Sequence, residues 1–292
     1  MYVRQKQIAL VHKLYGVAFR TKLEMAAELV EWFVGWLYFA GKTVWVVADG
    51  AYAKRPFLKR ALAAGVVVVS RLRRDAALWS LPEPERPRPG QPKKRGRKPK
   101  YGKKAISLAK RAAHRQGWLT RDFMLYGKKV AKTYKTFLAT YAPVAGVIRV
   151  VLVREEEAWL AFFCTNAEAT VEQILEAVAD RAAIEQDFHD LKEVHGAGQQ
   201  QVRHYWASVA VYHLNLWLHT LIELWAWERS HKELCDRSQS PWDDPERRPS
   251  HADRRNALRR SCLRGEIQAA GKRQRLTPKF RGLLRRLLKL VA

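Results

Sequence analysis

Three charged residues in the segment 180–192 have the spacing of a metal- or phosphate-binding helix face. Arg181 lies four residues before Glu185, and Lys192 lies seven residues after it. In a helix of about 100° per residue, the three side chains fall within about 40° of one another. A carboxylate between two cations suits metal and phosphate chemistry, but it also suits an ordinary salt-bridged surface. This segment alone favours the surface interpretation, and the rest of the chain must decide between the two.

A second acidic residue, Asp49, follows a short apolar run at positions 44–48. Such a run is typical of a strand buried on both faces in a parallel sheet. Pro56 suits a helix start, and the run 66–70 predicts a second strand, so the segment reads as a strand–helix–strand crossover. Asp49 therefore lies at the carboxyl end of a strand, where open α/β sheets bind ligands. An Asp before Gly50 is also a common turn or cap residue, and both interpretations stay open.

Asp49 and Glu185 together suggest metal-dependent chemistry. Carboxylates so placed can hold two divalent ions about 3.5–4 Å apart. Oxygen ligands suit Mg²⁺ or Mn²⁺. We therefore predict Asp49 and Glu185 as catalytic metal ligands, with Arg181 and Lys192 contacting nearby phosphates.

The charge of the chain indicates a polyanionic partner. Lys and Arg number 54 against 28 Asp and Glu, which gives a net charge of +26 in 292 residues. Nucleic acid is the leading candidate, and an anionic membrane surface is the alternative. The most apolar run, 206–227, is interrupted by four polar residues and predicts a buried amphipathic helix, with no membrane span. Within it, His213 and His219 are expected to be satisfied core or groove residues and not metal ligands.

A proline-rich basic segment lies between residues 82 and 104. It holds six prolines, and eight of the twelve residues from 93 to 104 are basic. This composition predicts a solvated linker or loop, a flexible arm that lies on phosphates, or both. The residues of the arm expected to bind DNA are Lys93, Lys94, Arg95, Arg97 and Lys98.

The three cysteines and the remaining patterns complete the prediction. Cys164, Cys235 and Cys262 are isolated, which argues against a zinc site and fits a reducing cytoplasm. Capping boxes predict helices that begin near residues 21 and 170, and a break near 179–180 is expected in the second helical region. Hairpins are predicted at 123–141 and 147–163, a short basic helix at 105–117, and a further basic helix at 280–290.

These residues resemble a known family. The sequence is similar to the cut-and-paste transposases of bacterial insertion sequences that carry a DDE metal triad, within the group that has a Tyr-x2-Arg-x3-Glu-x6-Lys signature. Arg181, Glu185 and Lys192 match the last three positions, and the segment 49–52 resembles the surroundings of the second Asp. The resemblance implies a ribonuclease H-like catalytic core, Mg²⁺ dependence, and DNA cleavage and strand transfer at transposon ends and target sites. It also implies a possible homodimer.

Two departures from the family pattern affect the expected activity. The Tyr position of the signature is Val178, and residues 1–20 contain no Asp that could serve as the first member of the triad. The family fold also needs three antiparallel strands before the helix predicted at 22–40. We therefore expect an N-terminally truncated, inactive copy: a decayed gene, a misplaced start codon or half of a frameshifted gene.

The expected fold class is α/β, with a ribonuclease H-like core that is incomplete at its N-terminus. Four segments are expected. Residues 1–71 form the first part of the core, 72–160 a basic linker with a β-hairpin insertion, 161–230 the completion of the core with the Glu helix, and 231–292 a helical basic tail. The alternative function is a non-catalytic nucleic-acid-binding protein derived from a transposase.

Overall fold

A computed structural model describes residues 7–37, 41–83, 99–156, 158–237, 242–273, 277–278, 280–283 and 286. The chain divides into two compact units, Met1–Ile184 and Glu185–Ala292. The first unit contains a mixed sheet with helices on it, and the second is helical. The α/β class is thus confirmed, whereas the ribonuclease H-like identity of the core and the four-segment division remain predictions.

The sheet of the first unit has eight strands in the order β1-β2-β8-β7-β6-β3-β4, with β5 paired to β6. Its strands are β1 (Trp45–Ala48), β2 (Val67–Arg71), β3 (Leu78–Trp79), β4 (Ala105–Ile106), β5 (Leu119–Leu125), β6 (Lys128–Tyr141), β7 (Gly146–Glu155) and β8 (Ala158–Cys164). The helices of this unit are α1 (Ile8–Tyr15), α2 (Lys22–Leu37), α3 (Arg55–Ala63), α4 (Leu108–Ala113) and α5 (Val171–Asp180).

The predicted strand–helix–strand segment is confirmed. β1 and β2 are parallel, with Ala48 opposite Ser70, and α3 connects them. Pro56 lies in the first turn of α3, as its fixed φ favours. β2 is buried on both faces because Val68 packs into one core cluster and Val69 into the other. β1 is only half-buried along its length, contrary to the expectation from its wholly apolar sequence.

The helix α2 begins at the predicted capping box. The backbone N–H of Thr21 donates to Glu24 Oε2 at 2.8 Å. Ala27 of this helix is fully buried, and Val30 and Val34 pack on the core, whereas Phe33 is exposed. The small side chain of Ala27 allows the helix to approach the sheet at this position.

The two predicted hairpins are confirmed, but they do not form a separate sheet. β5 and β6 are joined at Tyr126 and Gly127, whose φ values of 55° and 71° are those of a type I′ turn. β7 and β8 form the second hairpin. β8 also pairs antiparallel with β2, with Val69 opposite Cys164. The hairpins therefore extend the same sheet as β1 and β2. The core contains more strands than the two predicted at 44–48 and 66–70.

Helices cover both faces of this sheet. On one face, Leu58 of α3 and Leu108 of α4 pack with Phe163. On the other face, Ile174 of α5 packs with Cys164. The predicted capping box of α5 is present, with Thr170 and Gln173 bonded reciprocally.

The second unit contains α6 (Ala183–Glu193, which begins just before the unit boundary), α7 (Tyr205–Ala226), α8 (His231–Leu234) and α9 (His251–Arg273). The long helix α7 confirms the helix predicted at residues 206–227, but its predicted burial is wrong. Only Ile222 and Ala226 of α7 are buried, and Trp217 is 69% exposed. Ala226, Leu234 and Ala257 form a small core between α7, α8 and α9. Among the described residues, no helix combines the length and the apolar character needed to span a membrane. The predicted helix at 280–290 lies largely outside the described residues, although residues 280–283 are helical.

Candidate functional site

Asp49 lies at the carboxyl end of β1, as predicted, and its side chain is exposed. It also caps the short 3₁₀ turn Gly50–Tyr52, because its Oδ1 accepts a hydrogen bond from the backbone N–H of Gly50 at 2.6 Å. The cap interpretation is therefore confirmed, and the role of Asp49 as a metal ligand stays a prediction. The cap fixes the orientation of a carboxylate at a sheet edge, which is also what a metal ligand requires.

The turn after Asp49 packs closely on the end of the neighbouring strand. A Cβ added at Gly50 would lie 3.1 Å from the carbonyl oxygen of Arg71. Asp49 directly follows β1, and Arg71 is the last residue of β2. Since Ala48 pairs with Ser70, Asp49 and Arg71 lie at the same edge of the sheet. Arg71 is exposed, so a cation stands at the same edge as the carboxylate.

Two further arginines follow β2. Arg73 pairs with Asp75 at 3.0 Å, and the guanidinium of Arg74 lies 5.3 Å from the ring centroid of Trp159. These cations were not predicted as site residues, although the Arg-x-Arg-Arg run directly after an apolar strand could have indicated a cationic sheet edge. The edge that carries Asp49 therefore also offers positive charge for an anionic ligand.

The segment that contains Glu185 is not one continuous helix, and this corrects the predicted single stripe. α5 ends at Asp180 with Arg181 as its C-cap, and α6 begins at Ala183. The break falls close to the position expected at 179–180. Arg181 therefore does not share a helix face with Glu185.

Glu185 and Lys192 do lie on the same helix. Glu185 is in the first turn of α6 and Lys192 in the last, and both are exposed. These positions suit the helix dipole, which favours an acid at the N-terminus and a cation at the C-terminus. The buried acid of this helix is Asp190, which accepts a hydrogen bond from Gln186 at 3.0 Å.

Asp49 belongs to the first unit and Glu185 to the second. Each carboxylate is exposed within its own unit, and hard oxygen donors of this kind fit Mg²⁺ or Mn²⁺. Their joint binding of metal ions remains a prediction.

The predicted DNA-binding residues Lys93, Lys94, Arg95, Arg97 and Lys98 lie outside the described residues. The two ends of their segment are described. β3 and β4 pair antiparallel, with Trp79 opposite Ala105. Beyond this pair the backbone N–H of Gly102 donates to the carbonyl oxygen of Ser80 at 2.9 Å. Ser80 and Gly102, which flank the basic segment, are therefore held together at the sheet, and we call residues 82–101 between them the basic loop.

A histidine cluster in the second unit was not predicted. His251 is 3% exposed at the start of α9, and its Nδ1 lies 2.6 Å from Glu223 Oε1. Its Nε2 lies 2.7 Å from His195 Nε2, and its ring stacks on His219 with centroids 4.1 Å apart. Arg254 Nη1 donates to Glu223 Oε2 at 2.6 Å. We call these five residues the histidine cluster.

The cluster favours the neutral imidazoles of His195 and His219 at neutral pH. Burial, followed by repulsion from His251, lowers the pKa of His195 to about 4. The same two causes lower the pKa of His219. Burial alone would raise the pKa of Glu223, but its hydrogen bonds to Arg254 and His251 outweigh burial, so the net pKa is lowered and the carboxylate stays ionised.

Little in the sequence indicates this cluster. His219 and Glu223 are one helical turn apart, but His195 and His251 are distant in sequence, and only the tertiary fold of the unit joins them. His219 is half-buried against its partners, as a groove residue would be, whereas His213 is exposed.

Comparison with known protein families agrees with part of the sequence interpretation. A family model described as DDE superfamily endonuclease matches residues 13–131, which is less than half of the chain. The matched region includes Asp49 and ends before Glu185. No curated protein matches the chain. The match supports a DDE-type transposase or endonuclease family, and such a family acts on DNA with divalent metal ions.

Proposed function

We propose that the chain derives from a DDE-type DNA transposase of an insertion sequence, whose reaction is metal-dependent cleavage and strand transfer at transposon ends. The observation that carries the proposal is the exposed carboxylate of Asp49 at the carboxyl end of β1, within the region matched by the DDE superfamily endonuclease model. The mixed α/β sheet is compatible with a ribonuclease H-like core, which forms part of the proposal.

Asp49 and Glu185 are the proposed ligands of Mg²⁺ or Mn²⁺. When bound, a metal pair would activate the attacking water or 3′-hydroxyl and stabilise the leaving oxygen. The turn at Gly50 holds Asp49 in place, since the N–H of Gly50 anchors one carboxylate oxygen. Glu185 stands in the first turn of α6, where the helix dipole favours its ionised form.

DNA is the proposed partner. Arg181 and Lys192 would contact phosphates near the carboxylates, and Arg71 would add a cation at the edge that carries Asp49. The basic loop would contact phosphates further along the duplex. The net charge of +26 supports this assignment because a polyanion offsets the self-repulsion of such a chain. A homodimer and an insertion-sequence origin belong to the same proposal.

Within residues 1–292 only two carboxylates of a DDE triad are assigned. Asp49 is the first Asp of the sequence, so no Asp precedes it to act as the first member. We therefore propose that this chain alone does not turn over DNA. Robust Mg²⁺-dependent cleavage of transposon-end DNA by the purified chain would refute this proposal.

Metal binding is testable without catalysis. Fe²⁺ in place of Mg²⁺, with ascorbate and peroxide, generates hydroxyl radicals that cut the polypeptide next to the bound ion. We expect cuts near both Asp49 and Glu185, competed by Mg²⁺ and lost in Asp49→Asn and Glu185→Gln. Glu193→Gln changes an exposed acid of the same helix α6 and serves as the matched control. Cuts at only one of the two carboxylates, or equal cutting of all variants, would overturn the shared site.

A second candidate function is non-catalytic binding of nucleic acid. The net charge of +26 favours it, because these cations are present whether or not a metal site forms. Such a protein would bind duplex DNA with steep salt dependence. Its affinity would be unchanged by Glu185→Ala and by removal of Mg²⁺, whereas a metal-dependent transposase would respond to both. Fluorescence anisotropy with and without Mg²⁺ separates the two functions.

A further inference from the structure

The histidine cluster contains three side chains that can act as metal ligands. One nitrogen each of His219 and His251 and one oxygen of Glu223 all lie within 4.8 Å of one another. His219 and Glu223 are one turn apart on α7, so both project from the same face of that helix. His251 approaches from the start of α9 and is almost fully buried. The three groups therefore converge from two helices that pack on each other.

His251 and Glu223 are each held by a further residue on the far side. His195 contacts Nε2 of His251 at 2.7 Å, which leaves Nδ1 of His251 directed at Glu223. Arg254 donates to Oε2 of Glu223 at 2.6 Å, which leaves Oε1 directed at His251. Metal-binding histidines and carboxylates are commonly oriented by outer partners in this way. Such orientation distinguishes the cluster from a chance group of polar side chains.

The charges around the cluster are compatible with a divalent cation. Glu223 is ionised, and Asp187 and Asp190 both act on His219 as negative charges. Arg254 and Arg255 oppose them, and Arg254 is neutralised by its pairing with Glu223. Three acids (Glu223, Asp187 and Asp190) thus stand against two arginines around the cluster.

We propose that His219, Glu223 and His251 bind one Zn²⁺ ion. Two imidazoles and one carboxylate are ligands that zinc accepts in tetrahedral sites, with water in the fourth position. Bonds of about 2.0–2.1 Å hold tetrahedral ligand atoms about 3.3 Å apart, so the 2.6 Å contact between His251 Nδ1 and Glu223 Oε1 lengthens by about 0.7 Å on binding. The ion cross-links α7 to α9 and stabilises the second unit.

This site is independent of the proposed function. Its nitrogen donors differ from the oxygen donors of Asp49 and Glu185, so the two sites differ in the metal that they prefer. In the alternative, the cluster binds no metal, and His195, His251 and Glu223 form a hydrogen-bonded network only. Titration with Co²⁺ and Zn²⁺ separates a metal site from such a network.

Cobalt binding gives a direct readout. The full chain, prepared without a histidine tag and stripped with chelator, is titrated with Co²⁺ and then with Zn²⁺. We expect one equivalent of Co²⁺ to produce the visible d–d absorption of a low-coordinate site, and Zn²⁺ to abolish it. Zn²⁺ should also raise the melting temperature of the chain. Absence of the absorption, or binding without a defined stoichiometry, would overturn the proposal.

Substitution of individual residues tests which side chains bind the ion. His219→Ala and Glu223→Gln should lose the Co²⁺ absorption, whereas His213→Ala should keep it, because His213 is exposed on the same helix α7. His195→Ala should weaken Zn²⁺ affinity by about 10–100-fold, as expected for an orienting partner. Circular dichroism of the metal-free variants shows that each is folded.

Two outcomes contradict the assignment even if metal binds. Unchanged Co²⁺ absorption in His219→Ala would place the ion elsewhere. Intense near-ultraviolet bands from thiolate ligation would place it at Cys235 or Cys262. Neither outcome bears on DNA cleavage, so failure of the zinc site is distinguishable from failure of the proposed function.

Discussion

The backbone N–H of Gly102 donates to the carbonyl oxygen of Ser80 at 2.9 Å and closes the base of the basic loop. The backbone N–H of Lys104 donates in turn to Ser80 Oγ at 3.3 Å. These bonds continue the short β3–β4 ladder beyond its last strand pair. The described residues on either side of the proline-rich basic segment are thereby held together at the sheet.

Replacement of Gly102 by Ala should open the base of the loop. The added Cβ would lie 2.1 Å from Ser80 Oγ and 2.4 Å from the carbonyl oxygen of Ser80. Backbone must shift to relieve this overlap, and we expect a loss of about 1–3 kcal/mol in unfolding free energy. Thermal or urea unfolding measures the loss, and limited proteolysis should cut faster near residue 102.

Gly35→Ala is the matched control, because nothing lies within 4 Å of a Cβ added at this helical position. We expect it to be neutral or to stabilise α2 by up to about 1 kcal/mol. Equal stability of Gly102→Ala and the wild type would contradict the close contact at Ser80.

Neutralising part of the basic loop should reduce the salt dependence of DNA binding. Each phosphate contact contributes about 0.9 to the slope of log affinity against log salt concentration, so the triple variant Lys93→Gln, Lys94→Gln, Arg95→Gln should lower the slope by about 2–3. Fluorescence anisotropy with duplex DNA at several salt concentrations measures it. A triple variant at Lys42, Lys59 and Lys128, which are exposed elsewhere in the first unit, removes the same charge. If both variants change the slope equally, the loop has no special role.

Acid should destabilise the second unit through a half-buried ion-pair cluster. Arg247 bonds to Asp243 and Asp253, both at 2.8 Å. The hydrogen bond from Arg247 lowers the pKa of Asp243 below its ordinary value of 3.8. For Asp253, burial acts to raise the pKa, but hydrogen bonds from Arg247 and Ser250 lower it overall. Since both folded pKa values are depressed, their stabilisation is present above pH 3.8 and is lost as pH falls through the folded values.

The variant Arg247→Gln should flatten this acid dependence. Urea unfolding at a series of pH values between neutral and strongly acidic measures the slope of stability against pH. Arg73→Gln is the control, because the pair of Arg73 and Asp75 is largely exposed and contributes little. An acid slope that Arg247→Gln leaves unchanged would exclude this cluster as its source.

Thiol reactivity should separate the three cysteines. Cys262 is exposed, whereas Cys164 and Cys235 are buried. Burial raises the pKa of Cys164 to about 11, so little of it is thiolate at neutral pH. We expect one fast-reacting thiol in the native chain and three after denaturation, measured with a chromogenic disulfide reagent. Cys262→Ser should remove the fast phase, and a fast phase that persists would contradict the burial of Cys164 and Cys235.

Local patterns were enough to predict several elements of the first unit, but not α1, β3 or β4. The capping boxes at Thr21 and Thr170, the crossover after Asp49 and the type I′ turn at Gly127 are all encoded by neighbouring residues. The pairing of β8 with β2 was missed because no local signal states which distant strand a hydrophobic run will join. Strand pairing depends on the whole sheet. A count of strands within one segment therefore underestimates the number of strands in the sheet.

The candidate site shows the same limit. Asp49 was placed correctly at its strand end because the apolar run and the following Gly define that position. The helix containing Glu185 was expected to include Arg181, but Arg181 caps the preceding helix, and periodicity alone tolerates such a break. The histidine cluster could not be predicted, since His195 and His251 meet only after α7 and α9 pack on each other.

The pairing of Val69 with Cys164 also constrains how the protein is made. β2 emerges from the ribosome long before β8, so its inner edge stays open while the basic loop and five further strands are synthesised. Closing so long a loop is entropically costly, and non-local pairings of this kind slow folding. Until residue 164 is available, the valine-rich β2 is exposed to pairing with other nascent chains. Co-translational chaperone binding during this interval would protect the sheet from aggregation.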